Sequence, residues 1–291
     1  MKPAPFRYHA PATICEAVDM LDQVGASAKV LAGGLSLVPQ LRMRQHVPAH
    51  LVDINGIKGR HIVRSTDGSM VVGLTVRQEE LRQDLTASGR HPLLAEALGL
   101  SGTWLTRARG TVIGMLVNAS ADCELGAVAT LHPMTITAID GSGSRSVDTA
   151  ALFSGQDQLT PTELAVSVAI PNFPASDGWA VLKVTSRALN PTVAGVAARL
   201  RVSQGTCIEA QVAPFGVGIW TGPLPGAAAA LRDQPLTDQR IALVAEAVAD
   251  LTSTADSPHA SAAYRRHVLR VLTRRALRLA RDRSASRRWI E

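Results

Sequence analysis

The sequence is poor in cysteine, with only three such residues, Cys15, Cys123 and Cys207, among 291. They lie far apart and none belongs to a C-x-x-C pair. An iron–sulfur cluster needs several thiolates held together, and a disulfide framework needs paired cysteines at short spacings. We therefore expect three reduced, mostly structural thiols and no iron–sulfur cluster held by this chain.

Aromatic residues are also scarce, at 3% of the chain, and no uninterrupted apolar run reaches the length of about eighteen residues that a membrane span requires. Residues 1–9 show no apolar stretch of the kind found in secretory signals. We expect no membrane span and a cytoplasmic location. Because aromatics are few, Val, Leu, Ile and Ala must supply most of the core.

The net positive charge of the chain comes from one end of it. Residues 260–291 hold ten arginines and only two acidic residues, whereas the net charge of the whole chain is +6, so the remaining body is slightly acidic. Nucleic acid attracts such charge, but only Tyr264 and Trp289 could stack on bases there. A membrane surface is a second alternative. Subunit docking or a solvated helix face is favoured over both, and we expect no nucleic-acid partner.

Two glycine-bearing segments, residues 32–39 and 107–124, carry the most information. A short apolar strand at 29–32 runs directly into Gly33 and Gly34. Glycine adopts positive φ and lets other atoms approach the backbone closely. A run of free N–H groups in such a turn forms a concavity that holds an anion such as a pyrophosphate. Together with the acidic Glu124 at the end of the second segment, the two segments predict a flavin site.

Periodicity and turn residues predict an α+β chain. The predicted helices cover 13–23, 77–85, 92–98, 238–251 and 260–281, with a short helix or turn at 36–43. The predicted strands cover 29–32, 51–54, 135–139, 163–171, 179–185, 192–202 and 210–220, with a hairpin formed by 61–63 and 69–73. The Pro-rich stretch 171–178 marks the expected boundary between a domain at 1–175, with lobes at about 1–57 and 58–175, and a domain at 176–291.

Several weak motifs in one order resemble a known family. They are the opening 6–11 with Glu16 and Ala17, the strands 51–54 and 72–75, the K-x-x-x-R pair of Lys183 and Arg187, and the helix segments 264–267 and 274–277. With the two glycine segments, they make the chain similar over nearly its whole length to the flavin-carrying medium subunit of molybdenum hydroxylases, the group of carbon monoxide dehydrogenase and xanthine dehydrogenase.

This resemblance implies a two-lobed FAD-binding domain of the PCMH or vanillyl-alcohol-oxidase type, followed by a smaller α+β domain whose helices cover one face of a sheet. It implies FAD on this chain, a molybdenum cofactor on a large partner that oxidises the substrate, and [2Fe–2S] clusters on a small partner, in a dimer of heterotrimers. The chain would relay electrons to an external acceptor, with no catalytic residue and no metal of its own. A structural subunit with a degenerate flavin site and a stand-alone flavin oxidase are the alternatives.

The resemblance also implies the residues of the flavin site. In the first loop these are Leu31, Ala32, Gly33, Gly34, Leu35, Ser36 and Leu37, and in the second they are Thr111, Gly114, Met115, Asn118, Ser120 and Glu124. Lys183 is expected near the flavin ring and Leu164 against it.

The chain departs from the family at several loop positions, among them Leu35, Ile113 and Met115. Leu35 replaces the usual Gln or Thr, and the usual T-I-G-G-S or T-I-G-G-N reads T-V-I-G-M at residues 111–115. Ile113, being β-branched, strongly resists positive φ, and Met115 cannot donate a hydrogen bond to phosphate. These losses are expected to weaken the site.

Overall fold

The computed structural model describes residues 2–58, 61–186, 192–217 and 224–286. The chain forms two compact units. The first unit comprises Met1–Asp84, Thr103–Ala119 and Met134–Pro171, and the second comprises Leu85–Gly102, Ser120–Pro133 and Asn172–Glu291. Segments 85–102 and 120–133 therefore belong to the same unit as the C-terminal part of the chain. The predicted single boundary at residue 175 would instead place both segments in the first domain. The domain boundary itself stays a prediction.

Up to residue 170, the chain consists of short strands and helices, including those of segments 85–102 and 120–133. They are β1 (Arg7–His9), α1 (Ile14–Val24), β2 (Ala28–Leu31), α2 (Leu37–Arg42), β3 (His50–Asp53), β4 (Ile62–Arg64), β5 (Met70–Gly73), α3 (Gln78–Ser88), α4 (Pro92–Leu100), α5 (Trp104–Arg109), α6 (Val112–Val117), α7 (Glu124–Leu131), β6 (Thr135–Asp140), β7 (Gly143–Asp148), α8 (Thr149–Ser154) and β8 (Leu164–Ile170). The elements that follow are longer. They are β9 (Asp177–Thr185), β10 (Thr192–Ser203), β11 (Thr206–Phe215), α9 (Pro225–Ala229), β12 (Gln234–Pro235), α10 (Asp238–Leu251) and α11 (Ala262–Ser286).

A three-stranded parallel sheet with the order β1-β3-β2 begins the first unit. Helix α1 lies in the predicted place, and Thr13 caps it because its Oγ1 accepts a hydrogen bond from Glu16 N at 3.2 Å. The buried face of α1, with Leu21 at its centre, packs with Val52 of the sheet in one hydrophobic cluster. The helical spacing of apolar residues in α1 thus serves to cover this small sheet.

A five-stranded antiparallel sheet, β4-β5-β8-β6-β7, completes the first unit. The predicted hairpin is present as β4 and β5, with Ile62 opposite Val72. Strand β7 and helix α8 were not predicted. Asp140 Oδ1 accepts from Ser142 N at 2.9 Å and Gly143 N at 3.2 Å, so the polar stretch read as the end of a strand is a hairpin turn.

The second unit holds a four-stranded antiparallel sheet with the order β12-β11-β10-β9. Its buried face packs against α10 and α11 in a core that includes Val196, Leu200, Ile241, Leu269 and Leu277. A lobe of strands followed by helices that cover one sheet face was predicted, and this lobe confirms it.

Six arginines of α11 have partners within the second unit. Arg283 Nη1 lies 2.7 Å from Glu96 Oε2, and its guanidinium lies 4.8 Å from the Trp179 ring centroid. The other partners are Glu246 for Arg270 and Arg274, Asp238 for Arg278 and Arg281, and the backbone oxygen of Val193 for the buried Arg265. These contacts hold α11 against its neighbours in the second unit. Arg287, Arg288 and Trp289 lie outside the described residues.

The described cysteines are unpaired, and two of the three, Cys123 and Cys207, are buried. Burial raises the pKa of the Cys123 thiol to about 12 and that of Cys207 to about 11, so both stay protonated at neutral pH. Within the described ranges, no group of three or more His, Cys, Asp or Glu side chains could hold a metal ion. None of the helices in those ranges, the 25-residue α11 included, is apolar enough over its length to cross a bilayer.

Asp177 gives a test of the second unit, because its carboxylate, 1% exposed, accepts from Arg199 Nε at 2.7 Å and Arg201 Nε at 2.8 Å. Burial opposes its ionisation, but the hydrogen bonds and charges of the two arginines outweigh burial and lower the pKa of Asp177. Asp177→Asn should lower the free energy of unfolding by about 3–5 kcal/mol, since it leaves two arginines without their shared anion. Urea unfolding at neutral pH measures this.

The acid dependence gives a second readout of the same variant. Because the folded pKa lies below the unfolded value of about 3.9, the stabilisation is complete above that value and is lost as pH falls through the folded pKa. In Asp177→Asn, the free energy of unfolding should not show this loss as pH falls. Asp233→Asn is the control, because Asp233 is 77% exposed and 4.0 Å from Arg232, so it should change stability by less than about 1 kcal/mol. Equal losses in the two variants would contradict this account.

Candidate functional site

The first glycine segment is a turn between β2 and α2 whose backbone donors are free. Gly34 has φ +76°, a conformation that favours glycine. The amides of the five consecutive residues 33–37 meet no acceptor in the described part of the chain. A run of such amides after a strand makes an anion-binding concavity. The local geometry therefore fits the predicted diphosphate cradle.

The second glycine segment is helical, which differs from the expected loop. Thr111 caps α6, with its Oγ1 accepting from Gly114 N at 3.1 Å. Ile113 lies in the first turn of α6, 4% exposed, with a helical backbone. Ile113 is not among the positive-φ residues, so its resistance to positive φ carries no backbone cost here. A β-branched residue fits a helix at small cost, and the buried surroundings of Ile113 accommodate its side chain.

The two segments touch each other inside the first unit. A Cβ on Gly33 would lie 2.7 Å from Arg109 O and 2.9 Å from the Gly110 Cα, so residue 33 must be glycine. A Cβ on Gly114 would lie 3.9 Å from the Cβ of Ala32. The convergence that a shared dinucleotide site requires is thus present.

Backbone hydrogen bonds from the first residue of α3 and from the residues just before it hold the second segment in place. Val112 N donates to Val76 O at 3.0 Å, and Gln78 N donates to Gly110 O at 2.9 Å. On the same side, Glu79 accepts from Arg107 Nε of α5 at 2.7 Å. Hydrogen bonds from Arg82 and Arg107 lower the pKa of Glu79 to about 2 despite its burial. No sequence motif pointed to Glu79, although its i, i+3 spacing to Arg82 was visible.

The predicted site residues divide between the two units. Those in the first unit are Leu31, Ala32, Gly33, Gly34, Leu35, Ser36, Leu37, Thr111, Gly114, Met115, Asn118 and Leu164, whereas Ser120, Glu124 and Lys183 belong to the second. Leu164, 2% exposed, packs in the cluster beneath α1 with Leu21 and Val52. That core accounts for the burial of Leu164, and a contact between Leu164 and the flavin stays a prediction.

Glu124 and Lys183 form one buried ion pair in the second unit. Lys183 Nζ lies 2.6 Å from Glu124 Oε1, and Ser101 Oγ donates to Glu124 Oε2 at 2.9 Å. Glu124 is 5% exposed at the start of α7. The sequence suggested separate roles for the two side chains and gave no signal for Ser101. Arg187, the other member of the K-x-x-x-R motif, lies outside the described residues.

Gly33→Ala tests the contact between the two segments. Because the added methyl would meet backbone atoms of residues 109 and 110, one segment must shift, and the free energy of unfolding should fall by about 1–3 kcal/mol. Thermal unfolding measures the loss. Gly99→Ala is the matched control, since a Cβ there meets nothing within 4 Å and lies in α4, where alanine should be neutral or stabilising by up to about 1 kcal/mol. The same stability for both variants would show that the close approach is absent.

Comparison with known proteins gives two family matches. Residues 4–173 match the FAD binding domain in molybdopterin dehydrogenase, and residues 182–280 match the CO dehydrogenase flavoprotein C-terminal domain. The order of an FAD-binding domain followed by an α+β C-terminal domain agrees with the predicted fold class, which is confirmed.

Two relatives and one solved structure match nearly the whole chain. The 6-hydroxypseudooxynicotine dehydrogenase complex subunit alpha of Paenarthrobacter nicotinovorans is 31% identical over 98% of this chain and 97% of its own length. The carbon monoxide dehydrogenase medium chain of Hydrogenophaga pseudoflava is 30% identical over 98% of this chain and 100% of its own. A solved structure of carbon monoxide dehydrogenase from that organism, lacking the Mo-pyranopterin moiety, matches with a TM-score of 0.90 at 30% identity and covers 97% of this chain and 99% of that one. The chain belongs to the FAD-binding flavoprotein family of the molybdopterin dehydrogenases, as the resemblance predicted.

Proposed function

We propose that this chain is the electron-transfer subunit of a three-chain molybdenum hydroxylase, passing electrons from the [2Fe–2S] clusters of a small partner to an external acceptor. A large partner carries the molybdenum cofactor and oxidises the substrate. The observation that carries the proposal is the convergence of two backbone turns in the first unit, one of them with five free amides. The relatives support the assembly, because their names describe a complex subunit and a medium chain.

The first segment has the properties of a diphosphate cradle. The amides of residues 33–37 would bind the diphosphate of FAD, and glycine at 33 and 34 keeps side chains out of the turn. Such contacts come from the backbone, so the change to Leu35 does not remove them. Bound FAD supplies the redox chemistry, accepting electrons singly and releasing them in pairs; the protein binds and orients it.

The second segment contributes less through its side chains than is usual for the family. Met115 offers no donor, and one missing hydrogen bond to a charged group costs about 1.5–3 kcal/mol, or roughly one to two decades in affinity. Asn118 is exposed and has an amide that can still donate. The helical backbone at Ile113 removes one of the two features that favoured a degenerate site. FAD binding is therefore the better-supported alternative.

Three predicted contacts lie in the second unit and stay predictions. Ser120 and Glu124 would contact FAD, and Lys183 would lie near its ring. In this structure both oxygens of Glu124 are already engaged by protein groups, so Glu124 would serve mainly to hold the Lys183 ammonium. Mutating Glu124 would then act through Lys183.

The chain itself breaks no substrate bond in this account. The substrate is selected by the large partner, and no general acid or base is required here. A dimer of heterotrimers in the cytoplasm is the expected assembly, and the unpaired cysteines fit a reducing compartment. A stand-alone flavin oxidase receives less support, because the relatives named above are components of larger dehydrogenases.

The relay is tested on the complex isolated with its natural partners. Its visible spectrum should show one flavin per copy of this chain, with iron on another chain. After reduction with limiting dithionite, mixing with oxygen, NAD⁺ or a quinone analogue should reoxidise the clusters quickly in the complete complex. A complex stripped of FAD should react slowly with the effective acceptor, and added FAD should restore the rate.

Three results would contradict the proposal. Absence of flavin from the intact complex would favour the structural subunit. Equal reoxidation rates with and without FAD would exclude the relay. A flavin-loaded chain that never associates with molybdenum and iron–sulfur chains would favour the stand-alone oxidase.

A further inference from the structure

A polar bridge of two side chains connects the two glycine segments. Asn55 Nδ2 donates to Ala32 O of the first segment at 2.8 Å. Arg77 Nη2 donates to Asn55 Oδ1 at 2.8 Å, and Arg77 Nη1 donates to Arg109 O at 2.7 Å. One continuous path of three hydrogen bonds thus runs from the backbone of one segment to that of the other. Neither Asn55 nor Arg77 was among the residues predicted for the site.

The Asn55 amide is fixed at both ends. Asp53 Oδ1 accepts from Asn55 N at 2.9 Å and from Asn55 Nδ2 at 2.5 Å, while Asp53 Oδ2 accepts from the Tyr8 hydroxyl at 2.6 Å. With acceptors on its Nδ2 side and a guanidinium on its Oδ1 side, the amide has one satisfactory orientation. The three-stranded sheet that carries Tyr8 and Asp53 thereby holds the bridge in place.

The two carbonyls that the bridge grips lie where the segments meet. Arg109 O is the atom that a Cβ on Gly33 would approach to 2.7 Å. Ala32 O belongs to the residue whose Cβ would lie 3.9 Å from a Cβ on Gly114. Ala32 directly follows strand β2, and Arg109 is the last residue of helix α5. Because neither carbonyl has a donor from a sheet or a helix among the described residues, side-chain donors bind them instead.

We propose that Arg77 and Asn55 are positioning residues of the FAD site, which set the separation of the two segments without contacting the cofactor. This inference rests on the proposed placement of FAD at these segments. Loss of either side chain leaves every cradle amide in the chain but removes this hydrogen-bonded connection, so the two segments are held together less firmly. The amides then have to be ordered when FAD binds, so affinity falls.

The test measures the dissociation constant of FAD for the full chain by flavin fluorescence. Arg77→Ala and Asn55→Ala should each raise it about tenfold to a hundredfold, the range expected for one hydrogen bond involving a charged group. The double variant should bind little worse than either single variant, because both remove one bridge. Arg77→Lys keeps one charged donor and should recover part of the affinity. Flavin bound at saturation should keep the wild-type visible circular dichroism, because no group that touches FAD has changed.

Arg64→Ala is the matched control, since Arg64 pairs with Asp84 in the first unit and contacts neither segment. It should change the unfolding temperature without changing the dissociation constant. An unchanged constant in Arg77→Ala, or a constant that rises equally in Arg64→Ala, would overturn the role of the bridge while leaving the FAD site intact. If Arg77→Ala does not fold, Arg77→Lys and Asn55→Ala decide by the same criteria. A wild-type chain that binds no FAD would instead refute the proposed function, and this inference with it.

Discussion

The backbone contact between Gly33 and residues 109–110 is the constraint on which the site depends. A Cβ on residue 33 would lie 2.7 Å from Arg109 O, so this position has no room for a side chain. Because glycine lacks a Cβ, two turns that are distant in sequence can meet here. Every other feature of the candidate site either brings the chain to this contact or holds it there. The first turn follows strand β2 of the parallel sheet, and the second lies between α5 and α6.

The groups around the contact have separate tasks. Gly34 supplies the positive φ of the turn, Thr111 caps the helix that follows, and Glu79 anchors α5 through Arg107. Few of these groups are chemically reactive, which is appropriate for a protein whose proposed work is to hold a cofactor and pass electrons on. Affinity built from backbone amides also tolerates side-chain changes, so the differences from the family at residues 35 and 115 are compatible with the proposed cradle.

The sequence predicted local structure well where periodicity or capping decides it, as for α1, α10, β9 and β10. The strand predicted at 210–220 is β11, which begins and ends earlier, and residues 218–220 lie outside the described residues. It failed at Ile113, because a motif expected to be a loop is a short capped helix in which a β-branched residue is unstrained. Strand β7 was missed because its polar residues lack the alternation of a buried strand. Asn55, Arg77 and Ser101 were missed because hydrogen bonds between residues distant in the chain leave no local pattern. The grouping of 85–102 with the C-terminal part depends on tertiary contacts in the same way.

The central claim is that both turns bind one cofactor together, and hydrogen–deuterium exchange of the full chain titrated with FAD tests it most directly. Without FAD, the amides of residues 33–37 should exchange quickly, since they have no acceptor in the described part of the chain. With FAD, these amides should become protected and the amides of residues 112–118, several of which already have acceptors, should become more protected, with the same midpoint, while β10 stays unchanged. Protection of one segment alone, or of the two segments at different FAD concentrations, would contradict the account.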